Sequence, residues 1–188
     1  LEFNIIRAII EVPTIKTELK DGVFVITLFS FSENSAPKFR DALVEFGTLY
    51  DRNVTKKLVI DLRNNPGGYL ESAVDITSFF LPEGTEIVRE VGNKSYKEKI
   101  YRSKGFDVFK NDLKLAVLIN GGSAAASEIV ASALQDHKKA IVVGEKSFGK
   151  GSVQELIPIT KDTSLKVTIA RWLTPKGNSI SDGGITPD

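Results

Sequence analysis

Two short stretches contain residues whose types and spacing suit chemistry on a bound substrate. The first, residues 120–129, has the sequence NGGSAAASEI and follows an apolar run at residues 115–119 that predicts a fully buried strand. It turns on two glycines and enters a helical pattern of apolar residues. A strand–turn–helix connection of this kind places free backbone N–H groups and the positive end of the helix dipole at the turn. The sequence therefore predicts a place for a nucleophile and for donors that stabilise an oxyanion.

The second stretch, residues 148–154, has the sequence FGKGSVQ and places Lys150 between two glycines. A lysine acts as a general base near neutral pH only when its amine is uncharged, and an apolar pocket favours that form. The alternative interpretation is an ordinary surface lysine in a glycine-rich turn. Gln154 and the small-residue stretch upstream favour the functional interpretation.

The same region has a partial match to a phosphate-binding loop. Residues 144–150 (GEKSFGK) fit the pattern G-x-x-x-x-G-K after a predicted strand at residues 141–143. The pattern requires a Ser or Thr next, to hold Mg²⁺, but Gly151 stands there. A helix should follow, whereas residues 153–158 predict a strand and include a proline. Nucleotide binding is therefore not favoured.

The composition of the chain excludes several other classes of protein. Of the 188 residues, 41% are hydrophobic and 26% charged, as in an ordinary globular domain. Lys and Arg total 25 against 24 Asp and Glu, so no basic surface for nucleic acid or an anionic membrane is expected. The absence of Cys removes disulfides, cysteine catalysis and thiolate metal sites. We expect no metal and no other cofactor.

Several polar residues receive structural interpretations at this stage. His137 follows Asp136 at the end of a predicted helix and is interpreted as a solvated cap. Because it is the only histidine in the sequence, a Ser-His-Asp triad could be built only with this residue. Asp61, Arg63 and Glu128 are assigned structural or positioning roles, because no His or Cys cluster accompanies them and Glu128 suits the first turn of a helix.

Repeated strand–turn–helix units must position the candidate residues. They predict a sheet with parallel strands covered by helices. A hairpin is expected first, turning at Asp21-Gly22, then an amphipathic helix that begins near residue 35. The other predicted elements are strands at 58–62, 86–91, 96–101, 115–119 and 140–143, helices at 70–81 and from the 120–129 stretch to residue 134, a tight turn at 63–68, and a hairpin formed by 153–159 and 165–173.

The two stretches resemble the C-terminal processing (tail-specific) peptidases of the S41 type, which are serine proteases with a Ser/Lys dyad. The family has SASASEI and then GKGxVQ, and its central Ser is the nucleophile. This chain has SAAAS, so Ala125 stands at the nucleophile position. The general base falls on Lys150, 25 residues after Ala125, and the third member falls on Gln154. The resemblance extends from about residue 10 to the C-terminus.

The resemblance also implies the remaining site residues. The oxyanion donors would be the backbone N–H groups of Gly68, in the 63–68 turn, and of Ala126. Gly67, Ser123 and Ala124 would line the substrate site. Ser123 and Ser127 could be proposed as surviving nucleophiles, but a shift of two residues displaces the hydroxyl by more than an attack geometry tolerates. They are interpreted as a turn hydroxyl and a helix-cap residue.

The fold implied by the resemblance is α/β: a ClpP/crotonase-like core with a mostly parallel sheet and helices, plus peripheral strands from both terminal segments. Residues 1–13 would be the exit strand or linker from a PDZ domain that is missing here, and residues 14–188 the catalytic core. The implied localisation is the bacterial cell envelope, periplasmic or extracellular, with no signal or anchor in this chain.

The implied function is a serine endopeptidase that cleaves protein or peptide substrates near their C-termini. The expected partners are unfolded proteins or C-terminal tails, and neither nucleic acid nor metal is expected to bind. Assembly into a homo-oligomer is left open. Ala125 has two interpretations. It is a substitution that inactivates a working enzyme, or it marks a natural peptide-binding pseudoprotease. The presence of Lys150 and Gln154 favours the first.

Overall fold

The structure, a computed structural model, describes residues 13–109 and 112–188. The predicted exit strand at residues 1–13 therefore lies outside the described residues, apart from Pro13. The described part forms nine strands and three helices. In chain order they are β1 (Ile15–Lys20), β2 (Val23–Leu28), α1 (Ser35–Asp51), β3 (Lys57–Asp61), α2 (Leu70–Ser78), β4 (Glu86–Gly92), β5 (Lys99–Arg102), β6 (Lys114–Ile119), α3 (Ala126–Asp136), β7 (Ile141–Gly144), β8 (Ser152–Pro158) and β9 (Ser164–Leu173).

The larger sheet has five strands in the order β1-β2-β3-β6-β7. The strands β2, β3, β6 and β7 run parallel, and only the edge strand β1 is antiparallel. The hairpin between β1 and β2 turns at Asp21 and Gly22, which both have the positive φ that a tight two-residue hairpin requires. The mostly parallel sheet predicted from the sequence is confirmed.

One face of this sheet forms the core together with the helices. Alternate residues of the parallel strands are fully buried, among them Ile26, Ile60 and Val117. Phe39 and Phe46 of α1 are fully buried in the same cluster, as expected for the apolar face of an amphipathic helix. Helix α2 contacts both α1 and α3, so the site at the start of α3 rests on a packed layer.

A second sheet has four antiparallel strands in the order β5-β4-β9-β8. The C-terminal hairpin β8–β9 supplies two of them, which agrees with the peripheral strands expected from the C-terminal segment. Strand β8 is the outer strand and begins two residues after Lys150. Across residues 13–109 and 112–188, no helix is long and apolar enough to cross a membrane.

Helix α2 ends earlier than its apolar pattern predicts, at Ser78 rather than near residue 81. The hydroxyls of Thr77 and Ser78 bond to backbone carbonyls one turn back, at 2.7 and 2.6 Å. The amides of Phe79 and Phe80 then bond three residues back, in the tighter geometry common at helix ends. The apolar residues beyond Ser78 are still buried, which explains why the pattern continues past the helix.

Candidate active site

The two turns singled out in the sequence lie side by side at the C-terminal ends of adjacent parallel strands. In the register of β3 and β6, Asp61 is opposite Leu118, so the 63–68 turn and the 120–125 turn leave the sheet together. The Ala124 amide donates to the Asn65 carbonyl at 3.0 Å, and the Asn120 side chain donates to Asn64 Oδ1 at 3.0 Å. These bonds join the two turns.

Ala125 occupies the last position before α3 in an unusual backbone conformation. Its φ is 52° and its ψ is −111°, a region that residues with a side chain rarely adopt. The residue is 6% exposed. A Cβ added to Gly67 would lie 2.8 Å from the Ala125 Cβ and 3.0 Å from the Ala126 nitrogen. The Ala125 methyl group therefore faces the Gly67-Gly68 turn, and the close approach needs a glycine there.

Two backbone N–H groups next to this position have no acceptor in the described part of the chain, those of Gly68 and Ala126. Phe31 bonds to both neighbours of Gly68: its amide donates to the Gly67 carbonyl at 2.9 Å and its carbonyl accepts from Tyr69 at 2.7 Å. The Gly68 amide is left free by this arrangement. The Ala126 amide opens α3, where the first N–H groups lack intrahelical partners. Both groups are the donors predicted for the oxyanion.

The segment that contains Lys150 has no regular secondary structure and is held against the start of α3. The amide of Phe148 donates to the Ser123 carbonyl at 3.0 Å. The Lys150 and Ala125 amides both donate to Glu128 Oε2 at 2.9 Å, so their nitrogens are at most twice that distance apart. The structure thus brings the backbone of Lys150 beside the nucleophile position.

The side chains of Lys150 and Gln154 are both exposed in this structure. Gln154 lies on β8 opposite Thr168, and no hydrogen bond joins it to Lys150 within the described residues. The apolar pocket expected around the lysine amine is therefore not formed by these residues. The base role of Lys150 and the supporting role of Gln154 stay predictions.

The serines on either side of Ala125 are fully buried and engaged in structural hydrogen bonds. Ser123 Oγ donates to the Leu62 carbonyl at 2.8 Å and accepts from the Asn120 amide at 3.0 Å. Ser127 Oγ donates to the Asn65 carbonyl at 2.9 Å. Neither hydroxyl is available to attack a substrate, and the Ser123 backbone is engaged as well, since its amide donates to the Asn120 carbonyl and its carbonyl accepts from the Phe148 amide. The lining roles predicted for Gly67, Ser123 and Ala124 stay predictions.

The other polar residues considered in the sequence have identifiable partners. Arg63 forms a bidentate ion pair with Asp61, at 2.9 Å from Nε and 2.6 Å from Nη2. Burial alone would raise the pKa of Asp61, but the hydrogen bonds and charge of Arg63 outweigh it and hold that pKa below its usual value. His137 is the C-cap residue of α3, but it is half-buried and bonds to the Glu86 carbonyl at 2.7 Å rather than being fully solvated. Nowhere in the described part do three or more His, Cys, Asp or Glu residues converge as a metal site.

Sequence reasoning missed two residues that organise this region, Glu128 in part and Ser147 entirely. Glu128 was assigned a structural or positioning role from its place in the first turn of a helix, but its bonds to the segment that contains Lys150 were not foreseen. A Glu at the third position of a helix signals that it can reach back to the cap residue. Nothing in the local sequence pattern marks Ser147.

Comparison with known proteins decides the family. The profile of peptidase family S41 matches residues 22–188. The chain belongs to peptidase family S41. The S41 chain is 41% identical over 188 residues to a carboxy-terminal-processing protease of Bartonella bacilliformis, and 37% identical to a probable CtpA-like serine protease of Staphylococcus haemolyticus. All of the chain is covered in both cases, but it spans only 43% and 37% of those relatives.

Solved structures agree with this assignment. The photosystem II D1 C-terminal processing protease superposes with a TM-score of 0.84 at 26% identity, over 95% of the S41 chain and 48% of that protein. A putative peptidase from Parabacteroides merdae, at 18% identity, has a TM-score of 0.74 over 93% of the S41 chain and 56% of that protein. The second likeness concerns the fold alone. The ClpP/crotonase-like α/β class predicted from the sequence is confirmed.

Proposed function

We propose that the chain is the catalytic core of a serine endopeptidase that cleaves protein substrates near their C-termini. The observation that carries the proposal is the setting of residue 125. It has a strained backbone at the start of α3, faces the Gly67-Gly68 turn, and lies next to the unengaged amides of Gly68 and Ala126. The names of the relatives, carboxy-terminal-processing protease and CtpA-like serine protease, support the substrate class.

The mechanism follows from this arrangement once a serine stands at position 125. Its hydroxyl attacks the scissile carbonyl, and Lys150 takes the proton and returns it to the leaving amine. The amides of Gly68 and Ala126 donate to the oxyanion, and their fixed positions lower the barrier without reorganisation. Gln154 orients the lysine amine.

The chain with Ala125 is proposed to be inactive. A methyl group cannot form the acyl-enzyme, and loss of a nucleophile from such a site reduces the rate by several orders of magnitude. The alternative is a natural pseudoprotease that binds peptides without cleaving them. The codon for position 125 in the gene distinguishes a substitution from a natural alanine.

The compartment and neighbouring domain are proposed from the same family relationship. The relatives are bacterial, and we propose an envelope location, periplasmic or extracellular, for this protein as well. We also propose that a PDZ domain precedes residue 14 in the whole protein and delivers C-terminal tails to the site. No cofactor takes part in the proposed mechanism.

Degradation of casein tests the proposed function. We expect no cleavage by the Ala125 chain, cleavage by Ala125→Ser, and none when Lys150→Arg is added to Ala125→Ser, because a guanidinium does not deprotonate at usable pH. Robust cleavage by the Ala125 chain would assign the nucleophile elsewhere. Near-full activity with Lys150→Arg would mean that Lys150 acts as a fixed charge. An Ala125→Ser chain that binds peptides but never cleaves them would favour the pseudoprotease.

A further inference from the structure

The carboxylate of Glu128 is fully buried and accepts four hydrogen bonds. The amide of Ala125 and the amide of Lys150 donate to Oε2, both at 2.9 Å. The amide of Gly149 and the hydroxyl of Ser147 donate to Oε1, both at 2.6 Å. Three of these donors belong to residues 147–150, and the fourth belongs to the nucleophile position. One side chain therefore contacts both halves of the proposed dyad through their backbones.

Ser147 extends this network to the C-terminal segment. Its Oγ, which donates to Glu128, accepts from the Ile185 amide at 2.6 Å, and its own amide donates to the Ile185 carbonyl at 3.0 Å. A Cβ added to Gly184 would lie 2.5 Å from the Ser147 carbonyl oxygen. The turn at residues 183–185 is thus packed directly on Ser147.

Few other hydrogen bonds hold the backbone around Lys150 in place. Residues 146–150 form neither helix nor strand, and bonds that continue the strand pairings hold only the flanking residues, from the Glu145 amide to the Ile119 carbonyl at 3.1 Å and from the Trp172 amide to the Gly151 carbonyl at 2.8 Å. Besides the contacts to Glu128 and Ile185, the backbone of residues 147–150 has one further bond in the described part, from Phe148 to Ser123. Displacement of about 1 Å is enough to lower a rate about a hundredfold when reacting groups must align.

We propose that Glu128 and Ser147 are positioning residues that set the distance between residue 125 and Lys150. Glu128 holds the two backbones at one carboxylate, and Ser147 orients that carboxylate against the turn at residues 183–185. The inference rests on the proposed function, since it assigns a purpose to the distance between the nucleophile and the base. Helix capping alone would explain Glu128, but it would not involve Ser147, which lies outside α3.

Hydrogen exchange of the Ala125 chain tests the positioning role without reference to activity. In Glu128→Gln the amide group offers one acceptor oxygen to four donors. In Ser147→Ala the hydroxyl's bonds to Glu128 and to the Ile185 amide are lost, while the backbone bond from Ser147 to the Ile185 carbonyl stays. We expect the Gly149 and Lys150 amides to exchange about 10-fold faster or more in both variants. The matched control is Ser132→Ala, which removes a buried hydroxyl of α3 that bonds only to the Ile129 carbonyl. Unchanged exchange in Ser147→Ala would overturn the proposal even if Glu128→Gln failed to fold.

Kinetics in the Ala125→Ser background supply the second test. We expect Glu128→Gln and Ser147→Ala to lower kcat by about a hundredfold while KM changes little. The comparison is made at pH values where circular dichroism shows each variant fully folded, because the folded fraction itself can depend on pH. Within that range, a changed shape of the pH–rate profile indicates a displaced Lys150. Ser147→Thr, which keeps the hydroxyl, should recover most of kcat. Full activity of both variants would overturn the inference, whereas an inactive Ala125→Ser parent with altered exchange in both would count against the proposed function only.

Discussion

Residue 125 has a strained backbone conformation although its side chain is only a methyl group. A φ of 52° with a ψ of −111° costs a non-glycine residue about 1–3 kcal/mol, and such strain is found mainly at functional sites. The strain is held by Glu128, which binds the Ala125 amide, and by the packing of Gly67 against the methyl group. This strain supports the proposal that residue 125 stands where a reactive side chain is presented to a substrate.

Replacement of Ala125 by glycine measures that strain. Relief of the positive φ opposes the greater entropy loss of glycine and the loss of one buried methyl group, so we expect Ala125→Gly to change the free energy of unfolding by about 1 kcal/mol or less. The control is Ala131→Gly in the buried interior of α3, where roughly 2 kcal/mol should be lost. Urea denaturation of both variants gives the comparison. Equal losses in the two variants would show that residue 125 is unstrained.

At the scale of elements, the parallel core strands β2, β3 and β6 and the three helices were predictable because each buries a regular apolar face. The hairpin turn predicted at Asp21-Gly22 and the helix predicted to begin near residue 35 both stand where the structure has them, before β2 and at the start of α1. The family resemblance implied that the two turns face each other, and their positions at the C-terminal ends of adjacent parallel strands agree with it.

The placement of Lys150 could not be predicted in the same way. Its surroundings depend on bonds to Glu128, 22 residues earlier, and on a turn more than 30 residues later. The local spacing of apolar residues carries no information about contacts between segments so far apart in the sequence. The expectation of an apolar pocket came from the chemistry a basic lysine needs, whereas Lys150 is exposed in this structure.

The contact between Phe31 and Gly68 holds the 63–68 turn, whose Gly68 amide is one of the two predicted oxyanion donors. A Cβ at Gly68 would lie 2.1 Å from the Phe31 carbonyl oxygen, and φ is 144°. We expect Gly68→Ala to lower the free energy of unfolding by about 3 kcal/mol or more. The control is Gly47→Ala in α1, where nothing lies within 4 Å of the new Cβ and helix propensity should stabilise by about 1 kcal/mol. A harmless Gly68→Ala would mean that this turn adapts freely.

At the scale of the whole molecule, the S41 chain contains the proposed reaction centre and spans less than half the length of the curated relatives it matches. The site is open in these residues, with Lys150 and Gln154 exposed. Binding of an extended peptide beside Gly68 and Ala126 does not require a hydroxyl at position 125, because the free amides of these two residues are backbone groups. The chain with Ala125 should therefore still hold a substrate.

Peptide binding with and without the proposed PDZ domain tests how the whole protein selects its substrates. We expect the Ala125 chain alone to bind a peptide with a small or apolar residue at the cut site, and to do so equally well whether the peptide ends in a carboxylate or an amide. A longer Ala125 protein that includes the preceding domain should bind the free-carboxylate peptide about 10-fold more tightly or better, because two linked sites raise the effective concentration. The amidated peptide is the matched control and should show no such gain, since capture of a C-terminus uses the carboxylate. Calorimetry on the four combinations measures the effect. Equal affinity of the two proteins for the free-carboxylate peptide would show that the core recognises its substrates without help from a neighbouring domain.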